Sequence, residues 1–199
     1  MKNKKTITTP ILFFTILFIF SLFALFVIEF AEESRNQIPV YDQVPDFTFM
    51  ESRGQQFGLK DLKSKLNIID FFFTTCRGPC PLMSKEMEKL YNYYHTTDKV
   101  QFISISVDPK RDSLSVLKAY ADKHGVSDNH WNFLNGDIEE VKRLSEEGFK
   151  LGADFPDMHN TNFILVDHNG IIRGYYDPFN DSSMRLLKTH IRQLGKSLQ

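Results

Sequence analysis

Both cysteines of this 199-residue chain fall within one short stretch, Cys76-Arg77-Gly78-Pro79-Cys80, directly after an apolar run. The run is typical of a buried strand, and the residues between the cysteines are typical of the boundary between two elements. The Cys-x-x-x-Cys spacing brings two thiols to one place, where they can close a disulfide or bind a soft metal. A zinc ribbon is excluded because it needs four ligands and the chain has no second cysteine pair.

The N-terminal residues predict a membrane segment. Three lysines precede the run 11–28, in which Thr15 and Ser21 are the only polar residues. A spanning helix takes about 20 apolar residues, and its positive flank stays in the cytoplasm. The run is long and lacks a small-x-small cleavage site, so we expect an uncleaved anchor. No cysteine lies directly after the run, which excludes a lipoprotein-type anchor, and the lysine-based leader favours a bacterial envelope.

These features predict the organisation of the chain. We expect a cytoplasmic basic flank over 1–10, a transmembrane anchor over 11–28, a tether over 29–40 and one folded domain over 41–199. The protein would cross the bacterial inner membrane once, with its domain facing the periplasm or the cell exterior. The net charge of the chain is −1 and its charges are interspersed, so there is no basic stripe for nucleic acid.

The pattern of apolar residues predicts an α/β fold. Strands are predicted at 46–49, 66–73, 100–107, 162–166 and 171–176, with a further short one at 131–134. Helices are predicted over 81–94, 112–123, 138–144 and 184–194. The Asn169-Gly170 pair predicts a hairpin turn between the last two strands. This order indicates a thioredoxin-like fold, with a mixed central sheet flanked by helices and preceded by one transmembrane helix.

The cysteines lie where the first long strand meets the first long helix. Pro81 suits the first helical position, which puts Cys80 at or next to the N-cap, near the positive end of the helix dipole. The pKa of a free thiol is about 8.5 and falls at such a place, or beside a cation such as Arg77. We therefore expect a pair that deprotonates readily. Asp70 is interpreted as an edge-of-strand charge, with a proton acceptor near the cysteines as the alternative.

A third ligand would distinguish a metal carrier from a redox enzyme. Most of the six histidines lie at helix ends, in loops, in the turn or in the last helix, and are expected to be structural or exposed: His95, His124, His130, His168 and His190. His159 differs because it precedes the strand 162–166. In a thioredoxin-like fold, the loop before that strand packs across from the active-site helix. His159 is therefore the candidate third ligand.

Several motifs carry a family resemblance. They are Phe73-Thr74-Thr75-Cys76-x-x-x-Cys80-Pro81, Ser104-Ile105-Ser106-Val107-Asp108-Pro109-x-Arg111-Asp112, Trp131-x-x-Leu134-x-Gly136-Asp137, and His159 before the strand that ends near Asp167. Over nearly all of the soluble part, the chain resembles the Sco (SenC) copper chaperones for the assembly of cytochrome c oxidase. The resemblance implies that Cys76, Cys80 and His159 bind one copper ion, Cu(I) or Cu(II). It also implies delivery to the oxidase subunit that carries the dinuclear copper site, with a copper donor protein and a thiol reductant as further partners.

Two features depart from the family pattern. The letters Val166-Asp167-His168 match a family motif but lie after the strand, so we prefer His159 as the ligand. Met158 separates Asp157 from His159, and its thioether is an alternative ligand, although packing is the favoured interpretation. Between the cysteines, Arg-Gly-Pro replaces the common Pro-Asp-x, which bears on copper affinity and redox potential.

The alternative function is a membrane-anchored thiol-disulfide oxidoreductase that reduces the oxidase's copper-ligand cysteines. It would use Cys76 and Cys80 as a redox pair able to form a disulfide. Rapid general exchange is disfavoured because the spacing is longer than Cys-x-x-Cys and because no proline directly precedes the strand 162–166. The two functions can coexist, since copper loads only when the disulfide is reduced.

Overall fold

The computed structural model describes residues 8–35, 37–152 and 161–198. The chain divides into two compact units, Met1–Ile38 and Pro39–Gln199. The first unit contains helix α1 (Thr8–Arg35), which includes the apolar run 11–28. Among the residues that the structure describes, no helix is long and apolar enough to cross a membrane, so the predicted transmembrane anchor is not confirmed.

The second unit is built on a mixed sheet. Its strands, within the described ranges, are β1 (Thr48–Glu51), β2 (Gln56–Gly58), β3 (Leu66–Phe72), β4 (Val100–Ser106), β5 (Trp131–Asn135), β6 (Phe163–Val166) and β7 (Ile172–Tyr176). Their order across the sheet is β2-β1-β5-β4-β3-β6-β7. The central strands β3, β4 and β5 are parallel, and all other neighbours are antiparallel. The predicted α/β class with a mixed central sheet is confirmed.

The helices follow the predicted order, with shifts at their ends. They are α2 (Leu59–Leu62), α3 (Cys80–Tyr94), α4 (Leu114–Lys123), α5 (Ile138–Arg143), which continues into a π-helical turn (Leu144–Gly148), and α6 (Asp181–Gly195), which ends in a 3₁₀ turn (Lys196–Leu198). Helix α4 begins two residues later than predicted because Ser113 is its N-cap and accepts the Val116 N–H. The short elements β2 and α2 were not predicted, since three or four residues carry too little periodicity.

The central strands β3 and β4 are buried along their whole length. They are in register from the pair Leu66↔Val100 to the pair Phe72↔Ser106. Successive side chains of a strand point to opposite faces, so Ile69 packs in one core with α2 and α5. Phe72 lies on the other face, where its ring meets that of Tyr120 in α4. Helices thus cover both faces of the sheet, as parallel strands require.

The hairpin between β6 and β7 confirms the predicted Asn-Gly turn. Gly170 has a φ of +82°, a conformation that favours glycine. The Asp167 carboxylate accepts the Asn169 N–H at 2.9 Å and the Ile171 N–H at 3.1 Å. Asp167 also pairs with Arg173 at 2.8 Å. These contacts place His168 in the turn, as the sequence predicted.

Gly136 is expected to be intolerant of a side chain, because a Cβ at this position would overlap the ring of Phe49. Phe49 is a buried core residue of β1 and has little room to move. We expect Gly136→Ala to lower the free energy of unfolding by about 1–3 kcal/mol, measured by chemical denaturation. In the matched control, Gly195→Ala, the added Cβ meets only Leu66 at 4.0 Å and should not destabilise α6. Equal stabilities of the two variants would contradict this packing argument.

Candidate functional site: the paired cysteines

Strand β3 leads directly into the loop that carries Cys76. The Cys76 N–H donates to the Phe73 carbonyl at 3.2 Å, which closes a tight turn just after the strand. The Val107 N–H donates to the Phe72 carbonyl at 2.8 Å, so β3 is paired with the β4 segment up to Phe72, the last residue of β3. Cys76 therefore lies at the carboxyl edge of the parallel strands, the common position of functional sites in such sheets.

Cys80 is placed by the start of α3. It is the first helical residue, one position earlier than predicted. The carbonyl of Pro79, the N-cap residue, accepts the Leu82 N–H at 2.9 Å and the Met83 N–H at 3.0 Å. Pro81 follows in the first turn, where a helix has no partner for its N–H in any case. The helix start thus fixes Cys80 opposite the loop of Cys76.

Both thiols are free and buried. Cys76 is 7% exposed and Cys80 is 3% exposed, and no disulfide joins them. The Gly78 N–H points at the Cys76 sulfur from 3.4 Å, within the range of a hydrogen bond to sulfur. Arg77 is exposed, and its side chain forms no ion pair within the described residues. The loop therefore presents a reduced dithiol that is largely shielded from water.

The protonation of Cys80 differs from the expectation. The pKa of its thiol is raised to about 12, mainly by burial, and the hydrogen bond to Cys76 and the charge of Asp70 act in the same direction. A helix N-terminus favours the thiolate, but at this position desolvation of the charged sulfur is the larger effect. The expectation of a readily deprotonated Cys80 was wrong, because it considered the helix end without the packing around it. In the free dithiol, Cys80 holds its proton.

Asp70 lies in the centre of the sheet. Its side chain is 1% exposed and accepts the Ser104 hydroxyl at 2.6 Å. The Trp131 indole N–H donates to the same Ser104 oxygen at 2.9 Å, which turns the serine proton towards Asp70. Burial raises the pKa of Asp70 to about 7, against the lowering effect of Ser104.

The favoured interpretation of Asp70 as an edge charge was therefore wrong. Its charge acts on Cys80, which agrees with the alternative of a proton acceptor near the cysteines. The sequence signal for this buried position was a lone carboxyl within an apolar run, because a charged residue is almost never fully buried without a specific reason.

Tyr120 in α4 lies close enough to the thiols for their charges to act on it. Its hydroxyl is 2.8 Å from the Ser84 hydroxyl in α3. Burial raises the pKa of Tyr120 to about 12, and the charges of Asp70, Cys80 and Cys76 contribute in the same direction. Periodicity places Tyr120 on an ordinary apolar stripe along α4 and does not indicate that it lies near the thiols.

The predicted third ligand, His159, lies outside the described residues, as does Met158. Within the described ranges, no group of three or more His, Cys, Asp or Glu side chains is placed to hold a metal ion. The described histidines all have other partners, as expected: His95 with the Tyr91 and Asn92 carbonyls, His124 with Glu88, His130 with Asp98 and Asp128, His168 with Asn169, and His190 with Tyr176. The structure brings Cys76 and Cys80 together, and the ligand role of His159 stays a prediction.

The fold and the site together define a structural class of protein. A mixed sheet with a buried dithiol between a central parallel strand and the next helix is the arrangement of thioredoxin-like dithiol proteins. Within this class, a family model described as SCO1/SenC matches residues 35–194. The chain therefore belongs to the SCO1/SenC family.

Individual relatives agree with this assignment. The chain is 31% identical to "SCO1 protein homolog" of Bacillus subtilis over 70% of this chain and 80% of the relative. It is 27% identical to "Putative copper-binding protein" of Stutzerimonas stutzeri over 69% of this chain and 71% of the relative. Among solved structures, its structure is similar to that of BsSco, a member of the Sco family of cytochrome c oxidase assembly proteins in which a disulfide switch has been identified. That match has a TM-score of 0.68 and 27% identity and covers 77% of this chain and 94% of BsSco.

Asp70 should make the stability of the protein depend on pH. Its carboxyl holds a proton up to about pH 7 when folded but loses it near pH 3.8 when unfolded. The folded state therefore binds the extra proton between these values, so the free energy of unfolding falls as the pH rises from about 4 to about 7. We expect Asp70→Asn to remove this fall and to be more stable than wild type at pH 8, by about 2–4 kcal/mol. Denaturant unfolding at a series of pH values measures both effects.

The matched control is Ser104→Ala, which keeps the carboxyl and removes a hydrogen bond that lowers its pKa. This variant should keep the pH-dependent loss of stability and extend it to higher pH. Parallel pH curves for wild type and Asp70→Asn would show that Asp70 is not the titrating group.

Proposed function

We propose that this protein is a membrane-anchored copper chaperone. It binds one copper ion per chain through Cys76, Cys80 and His159 and delivers it to the dinuclear copper site of cytochrome c oxidase. The observation that carries this proposal is the pair of free, buried thiols at one strand–helix junction in a member of the SCO1/SenC family. Two similar proteins support it, since one is named "Putative copper-binding protein" and BsSco belongs to the Sco family of cytochrome c oxidase assembly proteins.

The chemistry of the donor set fits copper as cargo. Thiolates select Cu(I), and imidazole suits copper in either oxidation state. Three protein ligands leave a position through which a cysteine of the oxidase can take the ion. Because Cys80 holds its proton in the free dithiol, copper loading must release that proton. Asp70 is the buried carboxyl whose charge acts on Cys80, and its ionised form, which prevails above its pKa of about 7, is suited to receive the proton.

A second candidate function is reduction of a disulfide in the oxidase. The proximity of the two cysteines and the disulfide switch described for BsSco favour it. In this reaction the dithiol gives two electrons and two protons to the partner's disulfide, which becomes two thiols, and Cys76 and Cys80 become joined by a disulfide. The same pair serves both functions, and His159 is needed only for copper.

The location of the protein is also part of the proposal. We propose that residues 11–28 anchor the chain in the bacterial inner membrane, with the domain facing the periplasm or the cell exterior. The exposed apolar side chains from Leu12 to Ile28 support this, since an aqueous surface rarely carries so large an apolar patch. The lysines that precede the run support the orientation.

Copper binding to the reduced full chain tests the proposed ligands. We expect one copper per chain, and we expect Cys76→Ser and Cys80→Ser to abolish binding because each removes a thiolate. His159→Ala should weaken copper binding by about tenfold or more, because the imidazole ligand is lost while the two sulfur ligands remain. Anaerobic titration with Cu(I) against a competing chelator measures stoichiometry and affinity.

His168→Ala is the matched histidine control, since His168 lies in the β6–β7 turn and should leave copper affinity unchanged. Equal losses for the two histidine variants would refute His159 as the ligand. The His159→Ala variant also distinguishes the two candidate functions. If His159→Ala reduces a protein disulfide at the wild-type rate and wild type binds no copper, the oxidoreductase function replaces the chaperone.

Anchoring has its own test. After extraction of membranes with alkaline carbonate, we expect the full chain to stay in the membrane fraction, because the apolar run 11–28 is retained. A variant that lacks residues 1–28 should move to the soluble fraction and serves as the control. Release of the full-length protein by carbonate would refute the anchor.

A further inference from the structure

Asp112 is a buried carboxyl that the proposed function does not use. It is 0% exposed and lies in the loop between β4 and α4. Its carboxylate accepts the Thr74 N–H at 3.1 Å and the Thr74 hydroxyl, and it accepts the Ser106 hydroxyl at 2.6 Å. All these donors are neutral, and no ion pair reaches Asp112 within the described ranges. A buried charge is tolerated only when directed hydrogen bonds of this kind replace water.

The backbone of Asp112 is itself held firmly. Its N–H donates to the Asp108 carbonyl at 3.0 Å. The Asn135 side-chain amide donates to the Asp112 carbonyl at 2.6 Å and to the Pro109 carbonyl at 3.0 Å. The loop after β4 is thereby fixed to the end of β5. Asp112 can act as a rigid support for whatever its carboxylate binds.

The residue that Asp112 binds lies in the turn that carries Cys76. Thr74 lies inside the turn that the Cys76 N–H closes on the Phe73 carbonyl. Cys80, in contrast, is held by the start of α3. The two sulfurs are therefore positioned by different parts of the fold, and the Asp112 carboxylate is one link between the Cys76 turn and the loop after β4.

We propose that Asp112 is a positioning residue that fixes Cys76 relative to Cys80 through its hydrogen bonds to Thr74, and so sets the dithiol–disulfide equilibrium of the pair. The proposal rests on the part of the proposed function in which the two thiols work as a pair, and it does not depend on copper. A turn held at Thr74 keeps the Cys76 sulfur near Cys80 and raises its effective concentration for ring closure. Loosening the turn makes the disulfide less favourable relative to the dithiol.

The equilibrium with glutathione measures this property. One Cys76–Cys80 disulfide and two reduced glutathiones exchange with the protein dithiol and one oxidised glutathione, so one S–S bond breaks as another forms. Electrons and protons balance on the two sides. The fraction of protein disulfide at a series of glutathione ratios gives the equilibrium constant and the reduction potential.

Two variants of the full chain each remove one hydroxyl group that donates a hydrogen bond to the Asp112 carboxylate. Thr74→Val loses the hydroxyl bond on the side of the cysteine turn, and Ser106→Ala loses the bond on the side of β4. We expect Thr74→Val to shift the equilibrium towards the dithiol by between about threefold and tenfold, and a tenfold shift corresponds to about 30 mV. Ser106→Ala should shift it by less than about twofold, although both variants should lower the melting temperature. Thr74→Ser keeps the donor and should restore the wild-type value.

Equal shifts for Thr74→Val and Ser106→Ala would overturn the proposal, because they would reflect general destabilisation. No shift for Thr74→Val would also overturn it. A Thr74→Ser equilibrium equal to that of Thr74→Val would also overturn it. If wild type binds no copper but the variants separate as expected, the positioning role stands and the chaperone function fails. If wild type binds copper but no variant shifts the equilibrium, only the positioning role fails.

Discussion

The parallel pairing of β3 with β4 is the constraint on which the candidate site depends. The two strands are in register through Phe72↔Ser106, so they end at the same level of the sheet. The loops that follow them leave the sheet side by side, one carrying Cys76 and the other Asp112. Because parallel strands place their carboxyl ends at one edge, residues far apart in the chain meet there. The site is thus a property of the strand pair rather than of the cysteine motif alone.

Burial determines the chemistry at this edge. The helix start beside Cys80 favours a thiolate, yet the surrounding side chains remove enough water that the thiol keeps its proton. The same desolvation holds a proton on Asp70 near neutral pH. A reduced pair of this kind is protected from indiscriminate reaction and gains charge only when a metal or a partner replaces the lost hydration. Such control suits the copper delivery to one partner that we propose.

The sequence was a good guide where the signal was local. The strands β3 and β4, the hairpin with Asn169-Gly170 and the position of the cysteine pair at a strand–helix junction followed from periodicity and turn chemistry. It failed for β2 and α2, which are too short for a periodic signal. It also failed for the protonation of Cys80, because desolvation depends on side chains that are distant in the chain. The role assigned to His159 came from topology and family resemblance and stays a prediction.

The sequence by itself determined the class of fold and the presence of a dithiol, since both depend on the order of apolar runs and on the spacing of two cysteines. The tertiary structure alone decided that Asp70 pairs with Ser104, that the charge of Asp70 acts on Cys80 and that Asp112 binds Thr74. These contacts join residues 34 and 38 positions apart in the chain. No local pattern encodes them, because they exist only once strand register and packing have removed water from that edge of the sheet.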